Sequence, residues 1–226
     1  MEGELARARS FPYVALEGCD GAGKSTIRRR ISAHLRQKDI PVLEVGQHSW
    51  LNISAARMIL DARESRQAFP PSDISAAYRV DKTLHAENNI LRNLHRALVL
   101  ADRSVISDAV YQEALYGIPA DRTIHSYLLA GQIFPSLIIF VTVPVELAVQ
   151  RIAKRGRHRR HYEREADLRT ISAIYERVLR QHGEQIAGTV VFFPNEHPDL
   201  DTAVGGALLP LIDAACAGST LDIGGR

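Results

Sequence analysis

Short apolar runs alternate with longer amphipathic stretches along most of the chain. Tyr13-Val14-Ala15-Leu16 forms the centre of a strand predicted over residues 11–17. Further strands are predicted over 41–45, over 97–101 ending at Asp102-Arg103, over 137–143, which is the most apolar run, and over 189–193. Between them, Ile27, Ile31 and Leu35 recur at spacing four and predict a helix over 27–38. Ile53, Ala56, Ile59 and Leu60 predict another over 50–66. The Phe69-Pro70-Pro71-Ser72-Asp73 break offers a serine or aspartate cap for a helix over 74–95. Helices are also predicted over 110–116 and 120–129 around a Gly117-Ile118-Pro119 turn, from Val145 onward after Pro144, from the end of a basic segment through His182, and over 202–214. Strands alternating with helices imply a parallel sheet covered on both faces, with ligands held beyond the carboxyl ends of the strands. The expectation is one α/β domain over 11–214, with a flexible arm over 1–10 and a Gly-rich mobile tail over 215–226.

The first strand–helix junction carries Gly18-Cys19-Asp20-Gly21-Ala22-Gly23-Lys24-Ser25-Thr26, which fits the pattern G-x-x-x-x-G-K-[ST]. There the free N–H groups and dipole of the helix N-terminus favour an anion, and glycines let the backbone wrap a phosphate. Lys24 can reach the β- and γ-phosphates of a nucleotide, and the Ser25 hydroxyl can ligate Mg²⁺. Gly18, Asp20, Gly21, Ala22, Gly23, Lys24, Ser25 and Thr26 are therefore the candidate ATP-binding residues. Cys19 is read as a small filler that presents its backbone rather than as a redox switch.

Composition narrows the class. The chain has 226 residues and a net charge of +2, which argues against a general nucleic-acid or membrane surface. Two cysteines make neither a disulfide framework nor a metal site and suit a reducing, cytoplasmic compartment. The N-terminus has no apolar run of a signal peptide, and no stretch reads as a membrane span.

Two further groups of residues face the phosphate loop in such a sheet. Asp102-Arg103 ends the third strand, where a carboxylate can hold a metal-bound water and a guanidinium can bridge donor and acceptor phosphates. Residues 151–164 hold seven cations and one acid, Glu163. Uncompensated cations repel one another unless an anion is expected. A lid closing over ATP would supply positive charge to the transferring phosphoryl and exclude water. Arg155, Arg157 and Arg160 are its candidate catalytic residues, beside Lys24 and Arg103. His85 is read as a structural helix residue, and Trp50 as packing near the phosphate-binding edge.

Asp102-Arg103-x-x-x-Ser107-x-x-x-Tyr111-Gln112 resembles the D-R-Y-x-x-S-x-x-A-Y-Q segment of thymidylate kinases. The loop from Leu16 to Thr26 is similar to that family's L-E-G-x-D-G-A-G-K-S-T. The stretch from Tyr78 to His85 resembles its F-A-A-D-R-x-x-H helix, and Arg155-Gly156 through Arg160 and Glu163 resembles its lid. The resemblance covers roughly residues 11–195 and implies a P-loop kinase fold: a five-stranded parallel sheet with helices on both faces and a basic lid. It implies transfer of the γ-phosphoryl of ATP·Mg²⁺ to a (deoxy)nucleoside monophosphate, with Mg²⁺ on Ser25, and Asp102 holding a metal-bound water behind it. By the same resemblance, Asp20 takes the acceptor 3′-hydroxyl, Tyr78 stacks on the base and Lys82 stands where an arginine reads a base carbonyl. Arg103 contacts the acceptor phosphate, Ser107, Asp108 and Gln112 belong to the acceptor site, and Tyr111 lies against the sugar. Gly21 with the Arg-rich lid is similar to the subtype whose basic residues sit in the lid. A homodimer formed through helices is implied as well, with no nucleic-acid or membrane partner.

The chain departs from that pattern in places that bear on the acceptor. Lys82 replaces a planar fork with a point charge, and Asp108 is charged where the family is usually neutral. The run from Asp102 to Asp108 also resembles the E-R-S-V-x-S-D segment of deoxynucleoside kinases, which leaves a nucleoside 5′-hydroxyl as the alternative acceptor. A nucleotide-binding switch with slow ATPase activity is a third reading.

Overall fold

The computed structural model describes residues 10–156 and 160–218. Five strands, β1 (Tyr13–Glu17), β2 (Val42–Val45), β3 (Leu98–Asp102), β4 (Leu137–Thr142) and β5 (Thr189–Pro194), form one all-parallel sheet in the order β2-β3-β1-β4-β5. The central strand β1 is buried along its whole length. Its neighbours on both faces explain why it reads as a continuous apolar run rather than an alternating one.

Alternate residues still face different cores. Val14 and Leu16 join Leu98 and Leu100 in the large core under α1 (Lys24–Gln37), α4 (Val105–Tyr116), α5 (Ala120–Leu129), α6 (Val145–Lys154) and α7 (Glu165–Ile186). Tyr13, Ala15, Val99 and Ala101 pack with Ile90 and Leu94 on the other face. A third cluster joins α2 (Ile53–Arg63) to α3 (Pro71–His85) through Ala55, Ile59, Ala62, Ile74, Ala77 and Tyr78.

Several boundaries differ from the sequence reading, each for a local reason. Helix α2 is shorter than 50–66 because Asn52 accepts from Ala55 N–H and starts it. Helix α3 begins at Pro71, a residue whose missing N–H costs nothing at the first position. The long helix predicted to 95 ends instead at His85 and widens into a π-helical segment over Ala86–Leu91. Helix α4 starts at Val105, five residues before the prediction, because Ser104 accepts from Ile106 N–H. Every side chain from Val105 to Gln112 is buried, so no polar–apolar period marks that start.

The last helix is two, α8 (Leu200–Ala207) and α9 (Leu209–Gly218). Pro210 has no N–H to continue the first. Residues 215–218, expected in the mobile tail, are helical; the remainder of both predicted tails, 1–9 and 219–226, lies outside the described residues. Taken together, Leu200–Gly218 is long and apolar enough by composition to cross a membrane, where the sequence reading expected no such stretch. The two helices are tied to α1 by Arg30–Asp201, His34–Asp213 and Lys38–Asp213 pairs.

Candidate active site

Strand β1 delivers the chain into the loop of residues 18–23, and α1 begins at Lys24. The loop backbone needs glycine. Gly21 has φ +81°, and a Cβ there would stand 2.5 Å from the Ala148 carbonyl oxygen of α6. The loop is braced from outside by Asn195, whose amide donates to Ala22 O at 2.6 Å, and by Arg151, which donates to Asn195 O at 3.0 Å. Lys24 Nζ turns back onto Gly18 O and Cys19 O, both at 2.8 Å. Burial pushes its ammonium pKa down, and nearby Arg103 adds to that.

The end of β3 brings Arg103 beside the loop, with φ +79°. Its guanidinium donates to Asp20 at 3.1 Å, Tyr111 OH at 2.9 Å, Tyr175 OH at 2.7 Å and Ser107 Oγ at 3.2 Å. Tyr111 OH donates to the other Asp20 oxygen at 3.1 Å. Burial alone would raise the Asp20 pKa, but Arg103, Lys24 and Arg160 outweigh it and hold the carboxyl well below the usual range. Beneath this group lies Glu17, fully buried, which accepts from Ser104 N–H at 2.7 Å, Ser104 Oγ at 2.6 Å, Ser107 Oγ and Tyr175 OH at 3.1 Å. Glu17 thus fixes the start of α4 and, through Ser107 and Tyr175, the aim of Arg103. Sequence reasoning gave Glu17 no role, although a carboxylate at the end of an apolar strand stands out.

On the acceptor side, α3 supplies a buried charge network. Asp81 accepts from Ser49 N–H, Ser49 Oγ and Trp50 N–H, which pins the loop after β2. Its other oxygen meets His48 Nδ1 at 2.9 Å. Lys82 donates to the Gln47 carbonyl and lies 3.3 Å from Asp81 and 3.4 Å from Asp108. Gln47 Nε2 donates to Asp108 at 2.7 Å. Burial pushes the Asp108 pKa up to about 7 against the opposing pull of Lys82 and Gln47. Burial and Lys82 push His48 down to about 3. His85 Nδ1 accepts from the Asn89 amide one helical turn away at 2.9 Å, and its Nε2 is buried without a hydrogen-bond partner among the described residues.

The described parts of the basic segment, 151–156 and 160–164, reach the site through Arg151, Arg155 and Arg160. Arg155 pairs with Glu163 at 2.7 Å, and Glu163 also accepts from Arg160 N–H at 3.0 Å. Tyr162 is buried, edge-on to Tyr111 with centroids 5.5 Å apart, and accepts from Arg63 of α2 at 3.3 Å. Ser65 bonds His161 at 2.9 Å.

These elements enclose a cavity of about 770 Å³ lined by Asp20, Gly21, Gly23, Lys24, Ser25, Thr26, Asp102, Arg103, Arg155 and Arg160, among others. Lys24 and Arg103 therefore face the same space. Gly18 and Ala22 serve that loop from behind through their carbonyls. Tyr78 and Tyr111 line a narrow extension of about 10 Å³ with Asp20, Arg103, Gln47 and Arg63. Lys82, Ser107 and Asp108 line neither space: they are buried behind Gln47 and Arg103. Gln112 faces a separate cavity of about 450 Å³ and takes a hydrogen bond from Ser75 at 2.7 Å. Arg157 lies outside the described residues. Asp102 lies 3.6 Å from Arg28, which also reaches Glu44 at 3.1 Å. Trp50, read as packing, is 43% exposed, lines the large cavity and covers His48 with ring centroids 4.5 Å apart. Sequence reasoning did not single out Arg28, Arg63, Asn195 or Tyr175, whose roles come from contacts between distant segments. Among the described residues no cluster of three or more His, Cys, Asp or Glu could hold a metal ion.

Residues 16–190 match the family model of thymidylate kinase. A thymidylate kinase of Xylella fastidiosa strain 9a5c is 30% identical over 159 residues, covering 69% of this chain and 72% of its own. A probable thymidylate kinase of Methanospirillum hungatei is 27% identical over 191 residues, covering 81% and 88%. A thymidylate kinase of Pseudomonas entomophila is 28% identical over 216 residues, covering 91% and 98%.

Proposed function

The chain belongs to the thymidylate kinase family, and from that premise we propose how its residues serve the reaction and on which acceptor. It is a nucleotide kinase that moves the γ-phosphoryl of ATP to a nucleoside monophosphate. The acceptor we propose is dTMP, after the relatives' names. One observation carries the assignment of roles: Lys24 at the head of α1 and Arg103 at the end of β3 face one cavity large enough for two nucleotides to meet.

In this reading the loop N–H groups and Lys24 hold the donor phosphates. Lys24 leaves its two loop carbonyls for phosphate oxygens when the donor binds. Ser25 and Asp102 offer hard oxygen donors toward the same cavity and would hold Mg²⁺, which neutralises charge on the β- and γ-phosphates. Arg103 bridges the acceptor phosphate and the moving phosphoryl, with its fork pre-set by Ser107, Tyr111 and Tyr175. Asp20 and Tyr111 meet the acceptor sugar, and Tyr78 its base. Lys82, Asp108 and Gln112 act from behind the base wall. Arg155, Arg157 and Arg160 close with the lid over residues 151–164, where excluded water cannot compete for the phosphoryl. No covalent intermediate is needed, because positioning and charge do the work.

Residues 11–214 act in this proposal as one kinase domain, in a cytoplasmic homodimer without nucleic-acid or membrane partners. Exposed apolar side chains on α2 (Ile53, Leu60), on α3 (Val80) and at the end of the π-helical segment (Leu91) support the dimer. The direct test is an ADP-release panel with dTMP, dUMP, dCMP, dGMP and the matching nucleosides. Acceptor-dependent release highest with dTMP is the expected result. Nucleoside rates above the monophosphate rates would favour the deoxynucleoside kinase alternative, and release independent of any acceptor would favour a slow ATPase switch.

A further inference from the structure

We propose that Arg63 is a specificity-determining residue that reads the phosphate of the acceptor, aimed by an Asp81–His48 relay; this rests on the monophosphate-kinase reading. Arg63 lines both the large cavity and the narrow extension beside Tyr78, Tyr111 and Asp20. It therefore stands at the junction where a nucleoside seated against those tyrosines would turn its 5′ end toward Lys24.

Among the described residues, no carboxylate compensates the charge of Arg63. Arg103 on the same wall has Asp20, and Arg155 has Glu163. Arg63, half-buried at the end of α2, pairs with no carboxylate among the described residues. Its two hydrogen bonds go to neutral partners, His48 Nε2 at 3.0 Å and Tyr162 OH at 3.3 Å. A guanidinium has five N–H donors, so three remain. A partly buried cation with spare donors and no acid is matched by an anionic ligand.

The relay fixes its direction. Asp81 accepts at 2.9 Å from His48 Nδ1, so the proton sits there and Nε2 offers its lone pair to Arg63. His48 is itself buried, packed between Trp50 and Tyr78. Tyr162 touches Arg63 from the lid, so the acceptor phosphate and the closed lid share one guanidinium.

The test compares dTMP with thymidine by calorimetry, without ATP, on the wild type, Arg63→Gln and Arg63→Lys. In both variants the Kd for dTMP should rise by about tenfold or more, with the lysine variant less affected because it keeps charge but not the fork. Thymidine affinity, the KM for ATP and the melting temperature should stay near wild type, at least in Arg63→Lys. His48→Asn should raise the KM for dTMP with a smaller change in kcat, and Asp81–His48 would then be a positioning pair. An unchanged dTMP affinity, or equal weakening of dTMP and thymidine, overturns the inference. A wild type that turns dTMP over while Arg63→Lys binds it normally defeats this inference alone. A wild type that binds no monophosphate defeats both it and the kinase reading.

Discussion

Arg103 donates to Asp20 across 3.1 Å, which ties the carboxyl end of β3 to the phosphate loop. The pair sits where donor and acceptor would meet, and the same guanidinium is held by three hydroxyls. Arg103→Lys keeps the charge and so does not strand Asp20, but a point charge cannot reproduce four directed contacts. We expect kcat/KM for dTMP to fall by about 10²-fold or more while the KM for ATP changes less than about threefold. Steady-state ADP release at varied dTMP and ATP measures both. Activity near wild type would remove Arg103 from the transferring phosphoryl.

Gly21 and Gly23 both sit in the left-handed region, at φ +81° and +95°, yet their neighbours differ in how far they can yield. A Cβ on Gly21 meets the backbone oxygen of Ala148 at 2.5 Å, whereas one on Gly23 meets the side-chain amide of Asn195 at 2.3 Å. Backbone in a packed helix moves less easily than the end of a side chain. Gly21→Ala should therefore lower stability by roughly 1–3 kcal/mol and displace α6 from the loop. Gly23→Ala should cost less stability while weakening ATP binding, since it dislodges the Asn195 brace on Ala22. Urea unfolding and ATP titration of the two variants distinguish these outcomes; equal stability losses would show that Ala148 yields as readily as Asn195.

These local constraints also mark what the sequence could disclose. The phosphate loop, five strands and Asp102-Arg103 were legible because each depends on contiguous residues: a motif, an apolar run, a strand end. The start of α4 was not, because full burial from Val105 to Gln112 erases the period that marks a helix. Arg63 and Tyr162, 99 positions apart, form one contact that no spacing encodes. The base wall shows the same limit. Lys82 and Asp108 occur at spacings that resemble a substrate-reading pair, but the fold spends them on each other and on Gln47.

Glu163 ties together the described ends of the basic segment by pairing Arg155 and accepting the Arg160 N–H. Glu163→Gln keeps an acceptor oxygen but removes the charge that holds the arginine in place. We expect kcat to drop by about tenfold with the KM for dTMP little changed, because the loss falls on transition-state charge rather than on acceptor binding. Cleavage by trypsin within residues 151–164 should quicken at the same time, since that segment is rich in arginine. An unchanged kcat and unchanged cleavage would show that the Arg155–Glu163 pair plays no part in phosphoryl transfer or in the order of that segment.

The buried titratable groups near the base wall predict an unusual balance in the pH dependence of stability. His48 falls from an ordinary 6.5 to about 3 and His85 from 6.5 to about 4, both chiefly by burial. Between pH 4 and 6.5 the unfolded chain takes protons at both positions that the folded protein refuses, so stability rises with pH. Asp108 works the other way. Burial raises it from 3.8 to about 7, so through most of that window the folded protein keeps a proton that the unfolded chain has lost. Asp20 and Asp81, held below the usual carboxylate range, act at pH below about 4 and leave this window alone. Two protons favour the unfolded state and one the folded, so the net rise is at most about 1.4 kcal/mol per pH unit. Asp108→Asn removes the opposing proton and should steepen the rise toward twice that slope, whereas His48→Asn should flatten it. Urea midpoints at pH 4.5, 5.5 and 6.5 for the three proteins measure the slopes. A slope in Asp108→Asn equal to that of the wild type would mean that Asp108 is ionised in the folded protein throughout, with Lys82 and Gln47 outweighing its burial.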